Sequence, residues 1–259
     1  MEVQRVFYKY RSLSGTNRDH VRDTILNNHI YLADPASFND PFDCAPAFSP
    51  TFTSEGAYAL ARRHLARKYP RWSEEKLEAA AASFAVQTKH ADMAIVAKGL
   101  REGYDTVRHW LALYCVSGTC TSALMWSHYA DSHHGICIGF ASDKDIFAKA
   151  QVVTYSHVRH TVDPIHDSDE QRLANSLLLK SADWKYEKEW RYIDFESGPG
   201  KRQLAEPAMV EIVFGARISP EDEYRVMNWI DRLEHPPKLL RATVSPNHFK
   251  VDIHPYVQT

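Results

Sequence analysis

Apolar and polar residues alternate in short runs over much of this 259-residue chain. Where alternation gives way to spacings of three and four, the pattern predicts helices. Val6 to Tyr10 reads as a first strand, with Val6, Tyr8 and Tyr10 on one face and Phe7 and Lys9 on the other. A helix is predicted over Asp19–Asn27, where Val21, Ile25 and Leu26 share a side, and a second strand over His29–Leu32. Asp34-Pro35 and Asn39-Asp40-Pro41 end that strand, because proline restricts the residue before it.

From Ser54 to about Trp110 the chain is rich in alanine and reads as a helical insertion, with Ser73-Glu74-Glu75 as a helix start inside it. Strand character returns at Leu111–Val116, Ile136–Phe140, Val152–Tyr155, Val210–Phe214, Leu239–Val244 and Phe249–Ile253. Helices are predicted over Ser122–Ala130, Asp143–Ala150 and Ser168–Ser181, and from the serine-capped start Ser219-Pro220-Glu221-Asp222. Trp184 to Phe195 alternates like a strand. Strands mixed irregularly with helices predict an α+β domain spanning 1–259. Its central sheet is mixed or antiparallel, with flanking helices and the insertion at about 54–110.

Composition narrows the function classes. The 31 Lys and Arg against 33 Asp and Glu give a formal charge of -2, so net charge does not indicate a nucleic-acid partner. The start of the chain does not read as a signal peptide and no apolar run approaches the ~20 residues of a membrane span. A cytoplasmic protein with no membrane partner is therefore expected. Cys44, Cys115, Cys120 and Cys137 form no C-x-x-C pair and are expected to be reduced and packed.

Three segments could carry chemistry. In Ser37–Asp43, Asn39 and Asp40 suit a self-bonded turn before Pro41, while Asp40 or Asp43 could equally face a pocket beside Phe38 or Phe42. In Ser122–Tyr129 and His133-His134-Gly135, histidines invite a metal reading, but the spacing matches no known metal motif and no metal is expected. That segment suits either a packed, histidine-capped helix or a slot for a flat ring walled by Trp126, Tyr129 and an imidazole. In Trp184–Tyr192, strand alternation would set Glu187, Glu189 and Arg191 on one face and Tyr186, Lys188, Trp190 and Tyr192 on the other. Such a face is either a salt-bridge ladder or the floor of a site.

Together with Tyr8-Lys9-Tyr10, Phe38–Asp43, Leu124–Tyr129, His134–Phe140 and Ile212–Gly215, this last segment resembles the bacterial family known as domain of unknown function 2971. The resemblance covers most of the chain outside the helical region and implies no activity by itself. Glu187-Lys188-Glu189 is also similar to the Glu-x-Glu of ADP-ribosyltransferases, which implies a related fold and NAD as substrate. On that likeness Glu189 would stabilise the oxocarbenium ion and Glu187 would position an acceptor macromolecule of unknown identity. Tyr8, Tyr10 or Trp126 would stack on nicotinamide, and His128, Asn39 or Arg191 would hold ribose or phosphate. A bacterial defence or toxin setting would follow. Two other classes stay open: a metal-assisted hydrolase or nuclease-like effector using Asp40, Asp43, Glu187 and His128, and a non-enzymatic module that binds a nucleotide or a protein.

Overall fold

The computed structural model of the chain describes residues 5–48, 53–88, 93–108, 110–163 and 167–257. In chain order the first elements are β1 (Val6–Arg11), α1 (Gly15–Asn27), β2 (His29–Leu32), β3 (Ala47–Phe48), α2 (Ser54–Lys68), α3 (Glu74–Thr88) and α4 (Met93–Arg108). Then come β4 (Ala112–Ser117), α5 (Ala123–Tyr129), β5 (Ile136–Ala141), β6 (Gln151–Val152), β7 (Thr154–Ser156), β8 (Thr161–Val162), α6 (Asp169–Leu177) and β9 (Leu179–Ser181). The chain closes with β10 (Glu189–Asp194), β11 (Gly200–Gln203), β12 (Met209–Phe214), α7 (Pro220–Ile230), β13 (Lys238–Val244) and β14 (Val251–Pro255). This is an α+β fold. Its contacts divide into two compact units, one of Met1–Ser37, His109–Tyr155 and Ala182–Thr259, the other of Phe38–Arg108 and Ser156–Ser181.

The first unit is built on a mixed eight-stranded sheet, ordered β14-β13-β12-β5-β1-β4-β10-β6. Its strands pair antiparallel except β12 with β13, which are parallel and joined through α7, as parallel neighbours need a crossover. Alternation sends side chains to two faces. Phe7, Tyr114, Ile138, Phe140, Ile212 and Phe214 point to one, where Val21 and Ile25 of α1 and Val226 and Trp229 of α7 complete the main core. Tyr10, Cys137, Val213 and Leu240 point to the other, beneath Met125 and Trp126 of α5. Burying a side chain of this size contributes about 1.5–3 kcal/mol, so these two layers supply much of the sheet's stability.

One junction in the sheet is thin. β1 pairs with β5 along its whole length, from Val6 opposite Ala141 to Arg11 opposite Ile136. β4 pairs equally fully with β10. Yet β1 and β4 meet in a single residue pair, Tyr8 with Ser117. Past that pair the side chain of Lys9 takes over, its Nζ donating to the Cys115 carbonyl at 2.6 Å.

The second unit holds the helices α2, α3 and α4, which lie in the predicted helical insertion. Small buried residues, Ala57, Ala61 and Ala81, let α2 and α3 pack closely. α6 begins with a capping box between Ser168 and Gln171. The expected helix over Ser168–Ser181 is shorter than its pattern suggested, ending at Leu177 and passing into β9. Among the described residues no helix is long and apolar enough to cross a membrane.

Candidate functional site

The acidic segment departs from its expected geometry. Trp184 to Phe195 is not one strand: Ala182–Glu187 forms a 3-10 turn, and β10 starts only at Glu189. The break is Lys188, whose φ of 46° lies in the left-handed region that non-glycine residues seldom enter. Glu187 and Glu189 therefore sit on either side of a corner and not along one strand face.

That corner is pinned from several directions. Ser117 Oγ donates to the Glu187 carbonyl at 2.5 Å and Gly118 N to the Lys188 carbonyl at 2.8 Å. Glu189 N donates to the Tyr155 hydroxyl at 2.8 Å, and Val153 N donates to the Glu189 carbonyl at 3.0 Å. These bonds offset the cost of the left-handed residue, of order 1–3 kcal/mol, and fix where the two carboxylates point.

Glu189 and Arg191 do share a strand face, and Arg191 grips the carboxylate with both arms. Its Nε and Nη2 donate to Glu189 Oε1 and Oε2 at 2.7 and 3.0 Å. Arg191 is completely buried and Glu189 is 5% exposed, so this is a desolvated ion pair rather than a surface ladder. Glu187, 3% exposed, accepts a 2.7 Å hydrogen bond from the Tyr129 hydroxyl at the end of α5. Tyr129 continues outward as a partly exposed aromatic patch: His128 lies 6.3 Å from Tyr129 and 6.2 Å from Tyr186, and Trp184 lies 6.0 Å from Tyr186.

Lys9 completes the charged cluster. Burial lowers its pKa most, with Arg11 adding to the effect, while Glu189 and Glu187 pull the other way. The net result is about 8 against an ordinary 10.5. Between those values the unfolded chain is protonated at Lys9 and the folded chain is not, so the Lys9 contribution to stability rises with pH across that window. The rise should reach about 2 kcal/mol between pH 8 and 9.5. The buried thiols of Cys115, Cys120 and Cys137, raised by burial, act in the opposite direction over the same range, so the rise is read as the difference between the urea-unfolding pH curves of wild type and Lys9→Met; parallel pH curves for both proteins would contradict this placement of Lys9. Burial likewise raises Cys115, with Glu189 adding to the effect, so its thiol stays protonated.

The remaining candidates divide between packing and turn roles. Trp126 is fully buried, its indole N–H donating to the Cys120 carbonyl at 2.8 Å, with Tyr10 edge-on against it at 5.2 Å. Tyr10 in turn donates to the Thr119 carbonyl at 2.9 Å. Tyr8 donates to Glu211 at 3.1 Å. His133 stacks on Trp126, and burial, then Arg217 and His134, lower its pKa. Asn39 and Asp40 belong to the second unit. Asn39 is exposed, and Asp40 accepts from Phe42 N at 2.8 Å, closing the self-bonded turn. Asp43 there forms a buried ion pair with Lys180 at 3.2 Å. Among the described residues no group of three or more His, Cys, Asp or Glu is placed to share a metal ion.

The first unit thus brings together Glu187, Glu189, Arg191 and Tyr129, with His128 beside them. Sequence reasoning missed Lys9, Ser117 and Tyr155. A lysine amid Tyr8 and Tyr10 in a central strand was the available signal for the first. The hydroxyls of the other two left none.

Comparison with curated proteins gives no match, and neither does comparison with solved structures. Residues 125–192, which run from Met125 in α5 to Tyr192 in β10 and so include Tyr129, Glu187, Glu189 and Arg191, match one family model. Over that stretch the chain is similar to the family described as Protein of unknown function (DUF2971).

Proposed function

We propose that this chain is an ADP-ribosyltransferase-like enzyme acting on NAD, with its site at the Glu187-Lys188-Glu189 corner. The observation that carries the reading is a pair of carboxylates on hydrogen-bonded backbone, one of them bonded directly to a partly exposed aromatic patch. An aromatic patch suits the flat nicotinamide ring. As the glycosidic C–N bond breaks, nicotinamide leaves with the bonding electrons and the ribose gains positive charge. A fixed carboxylate stabilises that charge without reorganising. The acceptor nucleophile then bonds to the ribose carbon and loses its proton.

In this reading the roles differ from those the Glu-x-Glu likeness implies. Arg191 cancels most of the charge on Glu189, so Glu187 becomes the stabilising carboxylate and Glu189 with Arg191 becomes its rigid support. The test is incubation of a lysate with NAD labelled in its adenylate phosphate, in chelated buffer. Wild type is expected to transfer label, and Glu187→Gln to reduce transfer by about a hundredfold with an unchanged circular dichroism spectrum. Absence of both transfer and NAD hydrolysis by wild type would remove the reading.

A second reading, a non-enzymatic nucleotide-binding module, is favoured by the deep burial of both carboxylates, which resembles a satisfied polar core. It predicts NAD binding without product, and equal binding by Glu187→Gln.

A further inference from the structure

A cavity of about 180 Å³ opens in the second unit, and every residue that lines it belongs to that unit. His157, Arg159, His160 and Lys180 face it together with Asn175 and Ser176, and no Asp or Glu is among its lining residues. Asp43, which is not part of the lining, balances Lys180 in their buried ion pair. Arg159 is held in place twice, by donation to the Ala45 carbonyl and by its position 5.3 Å over the Phe42 ring. A guanidinium held this way loses little freedom when it binds, and its planar fork matches a tetrahedral oxyanion. Hydroxyl and amide groups around it suit the remaining oxygens. The cavity is smaller than the ~300–1,000 Å³ of pockets that enclose drug-sized ligands, but it has room for one phosphoryl group.

We propose that this cavity is a phosphate site, taking inorganic phosphate or the phosphoryl end of a small phosphomonoester, with Arg159 as its principal anchor. The proposal rests on second-unit residues alone and stands or falls independently of NAD chemistry at Glu187.

Isothermal titration of the full chain with inorganic phosphate, and separately with glycerol phosphate, tests it against sodium chloride at matched ionic strength. Wild type is expected to bind at least one of the two phosphates with one-to-one stoichiometry. Arg159→Met, a change at an exposed side chain, should weaken that binding at least tenfold. His160→Gln should weaken it less, and both variants should keep the wild-type melting temperature measured without phosphate. Binding of inorganic phosphate identifies the free ion as a sufficient ligand, whereas binding of glycerol phosphate alone identifies the ester. Failure to bind either phosphate, or equal binding by wild type and Arg159→Met, would overturn the assignment.

Discussion

Gly215→Ala is expected to cost at least about 4 kcal/mol, a large share of the ~5–15 kcal/mol that holds a domain folded. A Cβ at Gly215 would lie 2.2 Å from the His133 carbonyl oxygen and 2.6 Å from that of Gly135. Both are backbone atoms, so no side chain can swing aside to relieve the overlap. Those same carbonyls accept the hydrogen bonds that tie β12 to the loop before β5: Gly215 N donates to Gly135 O and Arg217 N to His133 O, each at 3.0 Å. Asp131, Ser132 and His133 in that loop all carry positive φ, and the backbone bonds help to hold them there. The substitution would therefore disturb packing, hydrogen bonding and an already strained turn together. Gly103→Ala is the control, since a Cβ there meets nothing within 4 Å and alanine favours a helix by roughly 0.5–1 kcal/mol. Thermal melts of the two variants should move in opposite directions. A Gly215→Ala protein that melts within a few degrees of wild type would contradict the interlock.

The second large effect concerns the buried pair. Arg191→Met should lower stability by about 3–5 kcal/mol, because it removes the bidentate partner of a buried carboxylate. The double change Glu189→Met with Arg191→Met should recover most of that loss, since replacing both members of a buried pair is often near neutral. A denaturation cycle of wild type, both single variants and the double variant measures the coupling. Additive losses would mean that the two side chains do not depend on each other. The cycle also serves the functional question: a Glu189 variant that loses activity has to be compared with one whose fold has been restored.

How much of this was legible in the sequence depended on how local each determinant is. The strand at His29–Leu32 stands where its alternation put it. The start of α7 was equally plain: Ser219 Oγ accepts from Asp222 N at 3.1 Å, with Pro220 in the first turn. The corner at Lys188 was invisible, because nothing about a lysine announces a left-handed φ; its conformation is imposed by Ser117, Gly118 and Tyr155 from elsewhere in the unit. The end of α6 was hidden for a related reason. Leu177 and Leu178 continue the helical stripe, but the following residues are drawn into extended backbone. For the candidate site, alternation correctly placed Glu189 with Arg191, and the mistake over Glu187 came from extending the same period across the break. The Asp43–Lys180 pair joins residues far apart in the chain and left no local trace.

A sheet whose two middle strands share one rung has a mechanical consequence. The five strands from β14 to β1 form one plate, and β4, β10 and β6 form another; Tyr8 and Ser117 are the backbone seam between them. Small rotations about that seam disturb few ladder bonds, so shear is concentrated there and the interiors of both plates are spared. Lys9 is the strut across the opening, and losing its grip on the Cys115 carbonyl would loosen the molecule along that single line.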